Sequence, residues 1–294
     1  MCIRDSIKTN AKNSSFDYLA MQFRLWKRMG MAVGFLPFST VGYSLSNTSE
    51  LTKDEDGTVI NKTASYAGDG GLQQVFAGVG FKVLDNLSIG ANISYIYGDI
   101  THSVTTAFSN SSSFSSVRLD KISINDYKLD FGLQYSYKFN KKHVLNFGAV
   151  YSLGHSVNGK GYKYNQKWLN GADYPSTQTG DTITNAFSLP HTFGAGLTYV
   201  YDNRLTIGAD FTYQQWEDAK FYNEKSYFSN RTKIAAGAEF VPNPYSRNYL
   251  KRVRYRVGGY YSDPYTKVDG QDGTREYGVS AGFGFPLSVS YTHL

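Results

Sequence analysis

The strongest constraint on the fold is a regular alternation of apolar and polar residues on both sides of a short turn. From His191 to Trp216, apolar side chains occupy every second position, stop at Asp202-Asn203, and then resume. Successive side chains of a strand point to opposite faces, so this segment predicts an antiparallel hairpin with one apolar face. Each arm has about nine to eleven residues, which is the length of a tilted strand that crosses a bilayer core.

The same hairpin pattern occurs twice more in the chain. It spans Gln74 to Tyr97, where DNLSIGANISY is similar to DNRLTIGADFTY of the first hairpin, and Leu129 to Leu153. With the shorter alternating runs, the sequence predicts about eleven strands joined by short turns on one side and long loops on the other. This asymmetry is typical of bacterial outer-membrane barrels. The polar segments interpreted as long loops are 47–64, 101–116 and 154–185.

The composition agrees with an all-β protein. The 294 residues include 29 Gly, 25 Tyr and 19 Phe but only 7 Pro, which is typical of strands and turns. The mean hydropathy of -0.40 and the lack of a long apolar run exclude a helical membrane protein. They do not exclude a membrane barrel, because the wall of a barrel alternates apolar and polar residues.

Charge and cysteine content exclude other classes. The single cysteine excludes a disulfide framework. The net charge of +6 is spread along the sequence without a basic cluster in a docking motif, so we expect no nucleic-acid partner.

No change in composition divides the chain, so we predict one β-barrel domain over residues 7–288. The ends, MCIRDS and SVSYTHL, resemble translated sequencing-adapter sequence. We therefore interpret residues 1–6 and 289–294 as non-native and the barrel as incomplete at both ends.

Two sites are predicted to interrupt the wall. Pro37 cannot donate a hydrogen bond to a neighbouring strand, so GFLPFSTVGYSLS predicts a strand with a kink or bulge that continues past the proline. Gly68, Gly70 and Gly71 mark a second break. Either site could open the wall laterally or be an ordinary bulge.

Four stretches, in this order, resemble the FadL/TodX family of outer-membrane transport proteins, especially members from Bacteroidetes-like bacteria. They are GFLPFSTVGYSLS, GDGGLQQVFAGVGFKVLDNLSIGANISYIYG, LPHTFGAGLTYVYDNRLTIGADFTYQQW and RVRYRVGGYYSDPY. The resemblance implies an antiparallel transmembrane β-barrel of fourteen strands in the cell outer membrane, with an N-terminal hatch and a lateral opening at a kinked strand. The implied cargo is long-chain fatty acids or other hydrophobic compounds. The hatch with its Asn-Pro-Ala run and the terminal strand with its aromatic end are not found in this sequence.

The face opposite the apolar one carries candidate ligand-binding cations. On neighbouring predicted strands, their side chains could hold a fatty-acid carboxylate by charge-assisted hydrogen bonds. The alternative is a ladder of ion pairs with Glu239, Glu276 and Asp130 that only stiffens the wall. The candidate cations are Arg231, Lys233, Arg252, Arg254 and Arg256.

We expect aromatic residues at strand ends to form girdles at the membrane interfaces, although tyrosine is also a good strand former in general. The candidates are Tyr95, Tyr97, Tyr135, Tyr137, Phe139, Tyr199, Tyr201 and Trp216.

The function predicted from these patterns is passive outer-membrane transport of hydrophobic small molecules by a monomer that contacts membrane lipid and lipopolysaccharide. The alternatives are an accessory subunit of a protein secretion system, a general structural or porin-like barrel, and a soluble β-sandwich binding module. No cofactor, metal or enzymatic activity is expected. The histidines lack metal-ligand spacing, and His143 and Ser152 lie on opposite faces of one predicted strand.

Overall fold

A computed structural model describes residues 18–53, 56–110, 113–169, 177–184, 187–221, 227–268 and 270–286. Most of their strands form one antiparallel sheet of 13 strands, in which eleven strands follow each other as a meander, as the sequence predicts. No helix in these ranges is long and apolar enough to cross a membrane.

The meander contains the longest strands of the molecule. Its members are β1 (Leu19–Trp26), β2 (Met29–Lys53), β3 (Val59–Lys82), β4 (Leu87–Phe108), β5 (Phe114–Lys138), β6 (His143–Ser152), β11 (Thr192–Tyr201), β12 (Leu205–Gln214), β13 (Arg231–Phe240), β14 (Arg254–Ser262) and β17 (Glu276–Gly284).

The remaining elements lie beside the meander. β8 (Gly159–Leu169) pairs with β5, and β9 (Thr177–Thr184) pairs with β8. Two small sheets are formed by β7 (His155–Val157) with β10 (Phe187–Leu189), and by β15 (Lys267–Val268) with β16 (Gln271–Asp272). A 3-10 helix, Tyr249–Arg252, precedes β14.

The lower part of the sheet has a bare apolar outer face. This lower band comprises residues 29–37, 73–82, 87–97 and 127–138 of β2 to β5, together with β1, β6, β11, β12, β13, β14 and β17. The predicted apolar positions point outward and remain uncovered; Leu197 is 47% and Ile207 46% exposed. A continuous apolar face of this kind is the surface that a membrane barrel presents to lipid.

Four strands continue far above the lower band. β2 to β5 have 25, 24, 22 and 25 residues, and their upper parts form, with β8 and β9, a second region that we call the upper sheet. It comprises residues 39–53, 59–72, 98–108 and 114–124 of β2 to β5, and β8 and β9.

The upper sheet corrects the loop assignments for 47–64, 101–116 and 154–185. These segments are rich in Ser and Thr, and Thr is a good strand former when a neighbouring strand supplies hydrogen bonds. The side chains also pair across strands, with 3.0 Å between the Thr48 and Thr63 hydroxyls and 3.2 Å between those of Ser46 and Ser65.

The apolar face changes sides between the two regions. In the upper sheet, small polar residues such as Thr101 and Ser123 face outward, whereas Ile122 and Ile124 face inward and are 3% and 4% exposed. In β3, β4 and β5 the sequence itself makes this change, because most apolar residues move from odd-numbered positions in the lower band to even-numbered positions in the upper sheet. The inner residues form a buried cluster of Leu72, Ile96, Ile122, Ile124, Val157 and Leu189.

In β2 the reversal is made by the backbone. Odd-numbered residues are apolar both below the proline, as at Val33, and above it, as at Val41. A register shift between Pro37 and Ser39 adds one residue and moves the upper set to the inner face. The bulge predicted near Pro37 is therefore confirmed, and its structural effect is to keep the apolar residues inside.

Another extra residue lies in the segment between β6 and β8, opposite β5. β5 pairs with β6 at Asp130 and Ser152, and with β8 at Ile124 and Gly159, so five residues of β5 face six of the intervening segment. Within this segment lies β7, whose Val157 is 1% exposed in the buried cluster. The excursion thus brings β7 and β10 to the inner side of the wall.

Candidate functional site

A cavity of about 860 Å³ lies on the inner side of the wall, where the lower band meets the upper sheet. The inner face of β3, β4 and β5 forms one side, and residues 187–190, 214–221 and 227–231 form the other. Most of the lining is apolar or aromatic. Its aliphatic residues include Val41, Leu72, Ile100, Val104, Ile122, Ile124 and Leu189.

Aromatic side chains from separate loops form the opposite wall. The ring of Trp216 stacks on Tyr265 with 5.0 Å between centroids and lies 5.3 Å from Phe228. Phe221 meets Phe228 edge to face at 5.7 Å. The indole nitrogen of Trp216 donates a 3.1 Å hydrogen bond to Gln214, so its one polar atom is satisfied inside the cavity wall. The prediction of Trp216 as a membrane-girdle residue is therefore wrong.

Arg231 brings positive charge to the cavity. Its Nε donates a 2.9 Å hydrogen bond to the Ser262 hydroxyl, and its guanidinium lies 5.7 Å above the ring of Tyr265. Arg231 therefore borders the cavity in contact with a hydroxyl and an aromatic face, and no ion pair with a carboxylate of the described residues is recorded for it. An anionic group entering the cavity would gain a charge-assisted hydrogen bond there.

Of the other cations at the cavity, Lys128 and Arg118 are paired with carboxylates, whereas no ion pair with a described carboxylate is recorded for Lys267. Lys128 and Ser152 both donate to Oδ1 of Asp130 at the lower end of the cavity. Near the top, a guanidinium nitrogen of Arg118 lies 2.9 Å from Asp120. These two ion pairs contribute polarity but little net charge, so the positive charge of the lining comes from Arg231 and Lys267.

The five predicted ligand cations do not converge. Arg231 borders the cavity, and Lys233, two residues further on, lies 5.5 Å above the ring of Tyr260. Arg254 and Arg256 bind the two oxygens of Glu239 at 2.8 and 2.6 Å. Glu239 is eight residues from Arg231 on β13, or about 26 Å at the rise of an extended strand.

Arg252 does not lie on an inward strand row as predicted. It ends the 3-10 helix Tyr249–Arg252, where its guanidinium lies 5.6 Å above the ring of Tyr249. The Asn248 side chain caps this helix by accepting a hydrogen bond from the Leu250 amide, so β14 begins only at Arg254. The acidic residues of the predicted ladder are separated too. The side chain of Asp130 binds Lys128, whereas Glu276 lies on β17 directly opposite Ser262, at the upper end of β14.

The candidate kink residues all lie where the two regions of the sheet meet. Pro37 adjoins the β2 bulge, and Gly70 has a φ of 109°. A Cβ at Gly70 would lie 2.3 Å from the Asp99 carbonyl oxygen, and one at Gly71 would lie 2.5 Å from that of Ser39. The residues from Gly68 to Gly71 remain paired with β2 and β4, so the glycines allow close approach of neighbouring backbones without breaking the sheet.

The aromatic wall was not predicted as part of the site. Trp216 was predicted to end a hairpin strand at the membrane interface, and no periodicity connects it with Phe228 or Tyr265. The available signal was compositional, because Trp216, Phe221, Tyr227 and Phe228 lie close together in a segment that is otherwise polar. Aromatic residues in an otherwise polar loop indicate a partner surface or a cavity.

An antiparallel meander with a bare apolar outer face defines the class of outer-membrane β-barrels. Solved structures with this fold include the toluene transporter TodX of Pseudomonas putida, with TM-score 0.55 and 14% identity over 83% of this chain and 67% of that one. The Ralstonia pickettii toluene transporter TbuX gives 0.54 and 15% identity over 83% and 68%. A Pseudomonas aeruginosa FadL homologue gives 0.55 and 15% over 93% and 66%.

This chain thus spans about two thirds of the length of these channels. At such low identity, the likeness shows the fold. The family model described as BamG matches residues 3–294, and the chain belongs to the BamG family. A search of curated proteins finds no match.

Proposed function

We propose that the protein is an outer-membrane barrel that passively transports hydrophobic small molecules, such as long-chain fatty acids. The observation that carries this proposal is the apolar cavity of about 860 Å³ on the inner side of the wall. The protein acts as a monomer in contact with membrane lipid and lipopolysaccharide, and the transport needs no cofactor.

The lining of the cavity suits an acyl chain or a small hydrocarbon. Each methylene moved from water into such a lining gains about 0.8 kcal/mol. The aromatic wall at Trp216 and Phe228 provides flat apolar surface, and Arg231 gives a carboxylate head group a charged partner. A ligand with an apolar body and one anionic end therefore matches the distribution of polar and apolar groups.

The wall below the cavity leaves space for passage. Gly80 of β3, Gly90 of β4 and Gly132 of β5 are direct cross-strand neighbours on the inner face. They border further hollows of about 680 and 490 Å³. Because glycine has no side chain, this stretch of the inner wall is smooth and wide.

Uptake of tritiated oleate by cells that produce the protein tests the proposal. Val104 lines the cavity, whereas the next residue, Thr105, points to the outer face of the upper sheet. Val104→Trp should lower the initial uptake rate severalfold, because the indole occupies cavity volume, and Thr105→Trp should leave it unchanged. Equal uptake by both variants and by cells without the protein would refute transport.

A second function is favoured by two observations. The family is BamG, whereas the hydrocarbon channels share only the fold, and the upper sheet has a polar outer face that includes Thr101 and Ser123. An accessory subunit of a protein secretion system would use that face to hold its neighbours. Mild-detergent purification followed by native mass spectrometry distinguishes the two functions: bound lipid and a single chain support transport, and a stoichiometric protein partner without lipid supports the accessory role.

A general porin-like barrel is the remaining alternative. It would admit small polar solutes, so proteoliposomes would swell in isotonic sucrose. A transporter with an apolar cavity should not cause such swelling, because sucrose would lose hydrogen bonds to water on entering the apolar lining.

A further inference from the structure

Positive charge is concentrated at the end of the sheet that carries the short turns. Five segments meet there: 24–28, 82–85, 138–142, 202–204 and 239–256. Together they contain thirteen Lys and Arg and three Asp and Glu, a net charge of +10, whereas the whole chain carries +6. The rest of the molecule is therefore net −4. The charge is spread along the sequence but is brought together in space, because every second connection of the meander returns to this end.

The lysines and arginines of these five segments, which we call the basic rim, are mostly uncompensated. Arg28 and Lys82 share Asp85, and Arg254 and Arg256 share Glu239. No ion pair with a described carboxylate is recorded for Lys27, Lys138, Lys141, Lys142, Arg204 or Lys251, all of which are exposed.

The rim directs its charge at the mouth of the lumen and away from lipid. On the outer face at the same height the chain carries aromatic residues such as Phe139, Tyr201 and Phe240. Lys82 and Lys138 alternate with outward aromatics and so point inward. Together with Arg24 and Arg28, Lys82 borders a hollow of about 470 Å³.

We propose that the basic rim binds an acidic polypeptide segment of a partner on the periplasmic side. The inference requires the outer-membrane placement, in which short turns face the periplasm, and does not depend on the cargo of the cavity. An extended acidic segment can place carboxylates on the rim while its backbone lies against the smooth glycine surface at Gly80 and Gly90.

Two other possible occupants of the basic rim, residues 1–17 of this chain and anionic phospholipid, fit less well. Residues 1–17 of this chain contain Arg4, Lys8 and Lys12 against Asp5 and Asp17, so they are net positive and do not complement the rim. Anionic phospholipid head groups would approach from the outer side, where the aromatic residues lie. The rim cations are at the turns and on the inner side.

The test measures fluorescence anisotropy of a fluorescein-labelled peptide in which glutamates alternate with glycine and serine. The protein is held in nanodiscs of zwitterionic phosphatidylcholine. The rim variant combines Lys27→Gln, Arg28→Gln, Lys141→Gln and Lys142→Gln, which are exposed turn positions that leave strand pairing intact. We expect it to weaken binding by at least about tenfold at low salt, and we expect added salt to weaken binding to the unchanged protein.

A matched variant controls for net charge. Lys53→Gln, Lys62→Gln, Lys160→Gln and Lys167→Gln remove the same charge from the upper sheet and should change the affinity by less than about twofold. Equal weakening by both variants, or binding of a glutamine version of the peptide, overturns the proposal. So does rim-dependent binding of anionic phosphatidylglycerol vesicles without binding of the peptide, which assigns the rim to a lipid surface. Oleate uptake by the rim variant reports separately on transport.

Discussion

The lower band and the upper sheet are built from the same strands and have opposite polarity. In the lower band, Leu197 and Ile207 face outward, and glycine and small polar residues face inward. In the upper sheet, Ile122 and Ile124 face inward, and serine and threonine face outward. The difference follows from the surroundings, since hydrocarbon outside one region and water outside the other require opposite faces to be apolar. Alternation in a sequence indicates that one face is apolar, and the surroundings decide which way that face points.

The largest expected effect tests the lower band. Leu197→Lys places a charge on the outer face near the middle of β11 and should destabilise the folded protein in liposomes by about 3 kcal/mol, because lysine is poorly solvated by lipid. The adjacent Thr198→Lys points into the lumen and should cost less than about 1 kcal/mol. Urea titrations followed by tryptophan fluorescence measure both. A larger loss for Thr198→Lys would mean that the two faces are reversed.

The next effect tests the upper sheet. Ile122→Ala removes buried apolar volume from the inner cluster and should cost about 2 kcal/mol, near the lower end for such changes because a cavity is adjacent. Thr101→Ala, on the outer face, is the control and should change stability by less than about 0.5 kcal/mol. Resistance of the upper sheet to protease under rising urea is the measurement. Similar losses in both variants would show that the apolar side is not the stabilising one.

A smaller effect tests how the bulge in β2 connects the two regions. Pro37→Ala should change stability by less than about 1 kcal/mol. The bulge is needed to keep the apolar residues above it on the inner face, and this need does not depend on the proline. In a Cys2→Ser background, Thr40→Cys should react with an external maleimide faster than Val41→Cys, with or without the proline. Deletion of Phe38 should reverse that order by rotating the upper strand. An unchanged order after the deletion would contradict the role assigned to the bulge.

The smallest effect concerns an ion pair on the outer face of the upper sheet. A hydrogen bond from Ser123, and then one from Lys121, lowers the pKa of the Asp99 carboxyl. A lowered pKa contributes stability above the unfolded value of about 4, and this contribution is lost as pH falls through the folded value. Because the pair is exposed, Asp99→Asn should cost about 0.5 kcal/mol or less at pH 7.

Denaturation curves at neutral and acidic pH measure this difference, which should shrink as the pH falls through the folded pKa of Asp99 and disappear once the carboxyl is protonated in both states. A difference that grows on acidification would assign the effect of Asp99 to another interaction.

The sequence predicted the lower band well because each strand there has one apolar face and a short turn. The repeated hairpin around Asp202-Asn203 has the expected register, from Thr192 opposite Gln214 to Tyr201 opposite Leu205. It did not predict the upper sheet, because Ser and Thr strands in water look like polar loops until their neighbours are known. Of the residues that border the cavity, the sequence predicted only Arg231 as a ligand-binding residue. Trp216 and Tyr265 lie on separate loops that meet only through tertiary packing.

The unbroken length of β3, β4 and β5 has a mechanical consequence. Each runs continuously from the outermost edge of the upper sheet to a turn of the basic rim, a span of about 80 Å at the rise of a strand, with hydrogen bonds to both neighbours over much of its length. Such strands resist stretching, so a force applied at one end of the sheet moves the other end with it. We expect the sheet to move as one stiff unit and to deform first at its bulges.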